Sequence, residues 1–126
     1  MQDVGVHQWS DKVGDLLFRC ERDVISPSEI VSELHGLMAS GPAHICAEIR
    51  PEISRSTLQF LLDAGAIESA ALRLLTRCGY MLSTDGEGIF IGSVASTITG
   101  QEHSYSGSSA AVALCGALAM SLQDCV

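Results

Sequence analysis

Residues 80–96 read YMLSTDGEGIFIGSVAS, and the fold is decided by how this stretch is read. Tyr80–Ser83 and Ile89–Ser96 are β-prone runs, and Thr84-Asp85-Gly86-Glu87-Gly88 between them is dense in turn residues. Two such runs around a short glycine-containing segment predict an antiparallel hairpin. Downstream, residues 97–106 are polar and read as a loop with a third strand at its start. Ser108 or Ser109 then opens a helix that runs through Leu122 and is apolar almost all round from Ala110 to Met120. A helix of that kind is buried on more than one side. It is either sandwiched within one chain or shared with a second subunit, and the second case predicts a homodimer through the C-terminal helix.

Upstream of the hairpin the periodicity is helical. Residues 1–8 read as a frayed end, and Ser10 or Asp11 caps a helix with Val13, Leu16, Leu17 and Cys20 on one face. Ser26-Pro27-Ser28-Glu29 has the residues of a capping box with proline in the first turn, and Gly41-Pro42 stops the helix that follows. Ala43–Ile49, between Pro42 and Pro51, reads as a short strand. Ser54 or Ser56 caps a helix with Leu58, Phe60, Leu61 and Leu62, which Gly65 ends. Ala66–Arg77 forms another, with Gly79 as its C-cap. The expected architecture is α+β in one domain, residues 1–126. A helical N-terminal half precedes a hairpin of two or three antiparallel strands, packed against a buried Ala-rich C-terminal helix.

Composition narrows the function. Fifteen acids against seven bases give a net charge of −8. From Gly79 onward there are four acids, Asp85, Glu87, Glu102 and Asp124, and no Lys or Arg. Such a surface repels nucleic acid, whose binding rests on cationic contacts to phosphate, and attracts a protein with a basic surface. The expected partner is therefore a basic protein, met through Asp85, Glu87 and Glu102. The longest apolar stretch is too short to span a bilayer, so no membrane is expected. The five cysteines are irregularly spaced with no CxxC, and no signal peptide is apparent, so they read as reduced thiols of a cytoplasmic protein.

The residues that could carry chemistry do not assemble in the sequence. His7, His35, His44 and His103 are scattered, and His103 near Ser104 and Ser106 lacks a GxSxG context. Cys46-Ala47-Glu48 is similar to the cytidine deaminase pattern of a metal ligand two residues before a catalytic Glu. The PCxxC that completes that site is missing, and His44 with Cys46 makes only one ligand pair. With Lys12 as the one lysine and no phosphate-binding loop, nucleotide binding is disfavoured. No catalytic constellation, metal or cofactor is expected.

Three resemblances bear on function. Residues 54–92 can be read as helix, turn, helix and hairpin, and resemble the recognition helix and wing of winged-helix regulators. That resemblance implies DNA contacts through Arg55, Arg73 and Arg77, although Asp85 and Glu87 stand where a wing carries bases. Residues 78–122, with Asp85, Gly86, Gly107, Ser108, Ala111 and Leu114, resemble small phage-encoded αβ-sandwich proteins. Antitoxin-type half-RNase-H folds share this strand–strand–helix ending. The resemblance implies a mobile-element accessory protein, such as an anti-CRISPR-like inhibitor in the host cytoplasm. Type III secretion chaperones are also small, acidic α/β dimers, but their strand-rich first half is not matched here.

Overall fold

A computed structural model describes residues 2–96 and 100–125. Its elements are α1 (Gln2–Glu21), α2 (Pro27–Ser40), α3 (Ala43–Cys46), α4 (Arg55–Asp63), α5 (Ile67–Leu74), β1 (Gly79–Thr84), β2 (Phe90–Ala95), β3 (Glu102–Gly107) and α6 (Ala110–Asp124). The strands form one antiparallel meander in the order β1-β2-β3. Helix α6 lies across one face of this sheet, and α1, α2 and α5 pack on the other side of α6. The expected α+β arrangement, with an Ala-rich helix buried against a hairpin, is the one observed.

Helices α2, α4 and α6 begin where a serine side chain can satisfy a free N–H group of the first turn. Ser26 Oγ accepts the Glu29 N–H at 3.2 Å, and the Glu29 carboxylate accepts the Ser26 N–H at 3.3 Å. The capping box read from the sequence is therefore complete. Ser54 and Ser109 do the same for α4 and α6, accepting from Thr57 N and Val112 N at 3.2 Å each. Ser26→Ala removes one half of the box and should cost about 1 kcal/mol. Urea denaturation followed by circular dichroism checks this, with an unchanged transition slope.

Four boundaries differ from the sequence reading. First, α1 starts at Gln2, so Ser10 and Asp11 lie inside the helix and cap nothing. Trp9 explains why: it is buried with Val13 and Leu16, and its Nε1–H donates to Leu37 O at 2.8 Å. Second, residues 43–49 are not a strand. They hold the helical turn α3, and Ile45, Cys46 and Ile49 are all buried. Spacings of one and four residues put these three on one side of a helix, whereas a strand would send Ile45 and Cys46 to opposite faces. Third, α5 ends at Leu74, and Gly79 opens β1 and caps no helix. Fourth, a strand lies over 102–107, at the end of the polar segment read as loop; residues 97–99, at the start where a strand was expected, are outside the described set.

The sheet meets α6 through residues of alternating direction. Val94 is buried, and Tyr105 and His103 on β3 are half-buried on the same side. Gly92 is the point of closest approach. A Cβ there would lie 2.6 Å from the Ala113 carbonyl carbon and oxygen and 2.8 Å from Leu114 N, all main chain of α6.

The apolar circumference of α6 is consumed inside the chain. Ala111, Leu114, Leu118 and Leu122 are buried, as are Ala113, Ala117 and Ala119. The ground on which the sequence offered this helix to a second subunit is therefore taken by the chain's own sheet and helices.

Candidate interaction surface

The hairpin between β1 and β2 is built by its own side chains. Asp85 Oδ1 accepts N–H bonds from Glu87 at 2.8 Å and Ile89 at 3.2 Å. Thr84 Oγ1 accepts the Gly86 N–H at 3.2 Å and donates to Ile89 O at 3.1 Å. Gly86 and Gly88 have φ of +82° and +93°, a conformation that glycine adopts without steric cost. Asp85 is thus a turn-forming residue as well as a charge, while Glu87 is exposed at the tip.

Glu102 lies elsewhere. It pairs in register with Ala95, which pairs with Gly79, so it marks the end of the sheet away from the hairpin tip. The five steps along a six-residue strand, at about 3.4 Å each, separate the two ends by about 17 Å. The structure brings Asp85 and Glu87 together and holds Glu102 apart from them.

Between these ends runs the face of the sheet turned away from α6. It carries Met81 and Ser83 from β1, Ile91 and Ser93 from β2, and Ser104 and Ser106 from β3. Met81 and Ile91 are exposed, as are Ser83, Ser104 and Ser106. Ser93 Oγ and Ser104 Oγ are 2.8 Å apart and bond across the strands. Among the described residues no helix covers this face. It is a hydroxyl-rich surface with two large apolar side chains, free of Lys and Arg, with carboxylates at both ends.

The bases that the winged-helix resemblance singled out are partly committed within the chain. Arg55 donates to Ser32 O at 2.8 Å, and Arg77 pairs with Glu52 at 2.8 Å. The Arg77 hydrogen bond holds the Glu52 carboxyl below its usual range. Arg73 is exposed in the last turn of α5.

The sequence candidates for chemistry are dispersed. His103 faces α6, where its Nε2 lies 3.5 Å from an Asp124 carboxylate oxygen. Ser104 and Ser106 point to the opposite face of the sheet, so no Ser–His pair forms. His35 is buried, with Nε2 3.0 Å from Ile53 O. Of the α3 group, Cys46 is buried, its thiol pushed up to about 11 by desolvation, while His44 and Glu48 are exposed. Cys115 is driven to about 12 for the same reason. Thiols held this high are weak nucleophiles near neutral pH. Among the described residues no three His, Cys, Asp or Glu side chains are grouped to hold a metal ion, and no helix is long and apolar enough to cross a membrane.

Sequence reasoning missed one feature of this region. Tyr80, Met81 and Leu82 are respectively 51%, 64% and 40% exposed, although they are consecutive large apolar residues. The signal was present in the run itself: without polar alternation, a strand in a sheet covered on one face must leave some of these side chains in water. No family model, curated protein or solved structure matches the chain.

Proposed function

We propose that this chain is a small non-enzymatic protein-binding module that docks a basic partner on the open face of its sheet. One observation carries the reading: an uncovered surface free of Lys and Arg, with Met81 and Ile91 on it and Asp85, Glu87 and Glu102 at its ends. Interfaces of this kind combine a modest apolar centre with a charged rim, and the rim sets encounter rate and orientation. The likeness of residues 78–122 to phage-encoded αβ-sandwich proteins supports a role as a mobile-element accessory or inhibitor, anti-CRISPR-like in character.

The test is a pull-down from native lysate, with and without nuclease, using the natural chain beside a Glu87→Lys/Glu102→Lys variant. Asp85 is left in place because it holds the turn. The expected result is a stoichiometric basic protein that survives nuclease and that the variant captures at least tenfold less well, in line with loss of rim charges about 1.4 kcal/mol in sum. Capture that the variant leaves unchanged counts against the acidic surface. A partner lost on nuclease treatment would return the winged-helix reading with Arg55, Arg73 and Arg77.

A further inference from the structure

The free edge of β1 has a use that the open face does not explain. Asp85 N–H donates to Ile89 O at 3.1 Å, which makes Asp85 and Ile89 a hydrogen-bonded pair of the ladder. Antiparallel pairing alternates, so Ser83, Met81 and Gly79 turn their main-chain groups to β2. Thr84, Leu82 and Tyr80 turn theirs outward. Every residue of β1 is exposed, and among the described residues no element packs beyond it. Exposed edges are ordinarily blunted by a lysine, a proline, an inward charge or a bulge. Gly79–Thr84 has none of these.

The charges that flank β1 choose the occupant. Arg77 stands two residues before the strand and, although it holds Glu52, keeps its side chain 46% exposed; Arg73 also acts on Glu52, so two bases share one acid at this end, and Asp85 and Glu87 follow the strand. An edge that is positive at its start and negative at its end is complementary to itself when turned antiparallel. We infer that β1 pairs with β1 of a second copy of this chain about a two-fold axis, joining two three-stranded sheets into one. A two-fold axis normal to a sheet keeps each side chain on its face, so a residue must sit opposite its own counterpart. With Leu82 opposite the partner's Leu82, Tyr80 faces the partner's Thr84 and all three outward-pointing residues of each copy find main-chain partners. Arg77 then lies across from the partner's Asp85–Glu87 turn, twice in the dimer. The seam thus sets a base of each copy, with the Glu52 that it holds, against the acidic turn of the other, although each chain carries −8 overall. The inference does not depend on the proposed basic partner, because its readout is the mass of the purified chain alone.

The experiment is sedimentation velocity over a concentration series that extends to high micromolar. The expected species has twice the 13.3 kDa of one chain, and its dissociation constant rises with salt. Leu82→Pro should give a monomer with an unchanged circular dichroism spectrum, since that N–H points away from β2 and its loss breaks no bond within the chain. Arg77→Glu should weaken the dimer about tenfold, and adding Glu87→Arg should restore most of the loss. A natural chain that stays monomeric throughout overturns the inference. So does a dimer that both Leu82→Pro and Arg77→Glu leave intact. If Leu82→Pro fails to fold, the charge exchange decides alone: rescue supports the seam, and no effect of Arg77→Glu refutes it.

Discussion

Leu118→Asp should abolish the cooperative fold. Leu118 has no exposed surface and sits in α6, which touches β2 and β3 on one side and α1, α2 and α5 on the other. The substitution removes a buried isobutyl group, a loss of about 2–5 kcal/mol. It also puts a carboxyl into a site where ionisation is opposed, and leaving a buried charge without a partner costs about 3–5 kcal/mol. No compensating base is available from α6 or from any strand, because the chain has no Lys or Arg after Arg77. The sum approaches the whole stability of a typical domain, about 5–15 kcal/mol. The measurement is near- and far-ultraviolet circular dichroism with urea titration, and Leu118→Met, which keeps volume and apolarity, should cost under about 1.5 kcal/mol. A Leu118→Asp chain with a urea midpoint close to the natural one would show that α6 is not the centre of the core.

The second large effect is expected at Gly92. Valine is among the best strand formers and glycine among the poorest, so propensity alone predicts that Gly92→Val stabilises β2. The geometry predicts the reverse. The first added carbon would lie 2.6 Å from Ala113 main-chain atoms, against about 3.5–4.0 Å for ordinary carbon contacts. The obstacle is helix backbone and has no rotamer to yield. Helix α6 must withdraw from the sheet by about 1 Å, and overpacking of this kind costs about 1–3 kcal/mol or more. Gly92→Ala should already be clearly destabilising and Gly92→Val worse. Gly79→Ala is the control: its new carbon would meet the Ala95 side chain and carbonyl only at 3.8–4.0 Å, and it should change stability by less than about 0.5 kcal/mol. Equal effects at the two glycines would mean that the helix–sheet gap has slack.

Much of this arrangement is written locally. The hairpin follows from Asp85, Gly86 and Gly88, and α2 follows from Ser26, Pro27 and Glu29, because caps and turns are made by residues a few positions apart. The burial of α6 was legible in its lack of any polar stripe. What failed was judgement by flanking punctuation: Pro42 and Pro51 suggested a strand, while Ile45, Cys46 and Ile49 carried the helical spacing. The candidate surface was legible as residue types and not as a place. Asp85 and Glu102 are acidic in any reading, but their separation depends on the register of three strands. That register follows from β3 beginning at Glu102, which the polar composition of 97–106 hides. The exposure of β1 likewise depends on strand order, which pairing between distant residues decides.

The position of α6 in the chain has a bearing on how the protein is made. All the elements that shape its surroundings, from α1 through β3, precede it in sequence, and α1, α2, α5, β2 and β3 all pack on it. During synthesis the buried side chains that α1, α2, α5 and β2 turn toward α6, Val94 among them, leave the ribosome before that helix exists. A nascent chain halted before Ala110 would display these side chains to solvent, with a hairpin lacking the support of its one packed face. Completion of the core therefore waits for α6 to emerge, and until it does the earlier elements offer that apolar surface to chaperones and to aggregation.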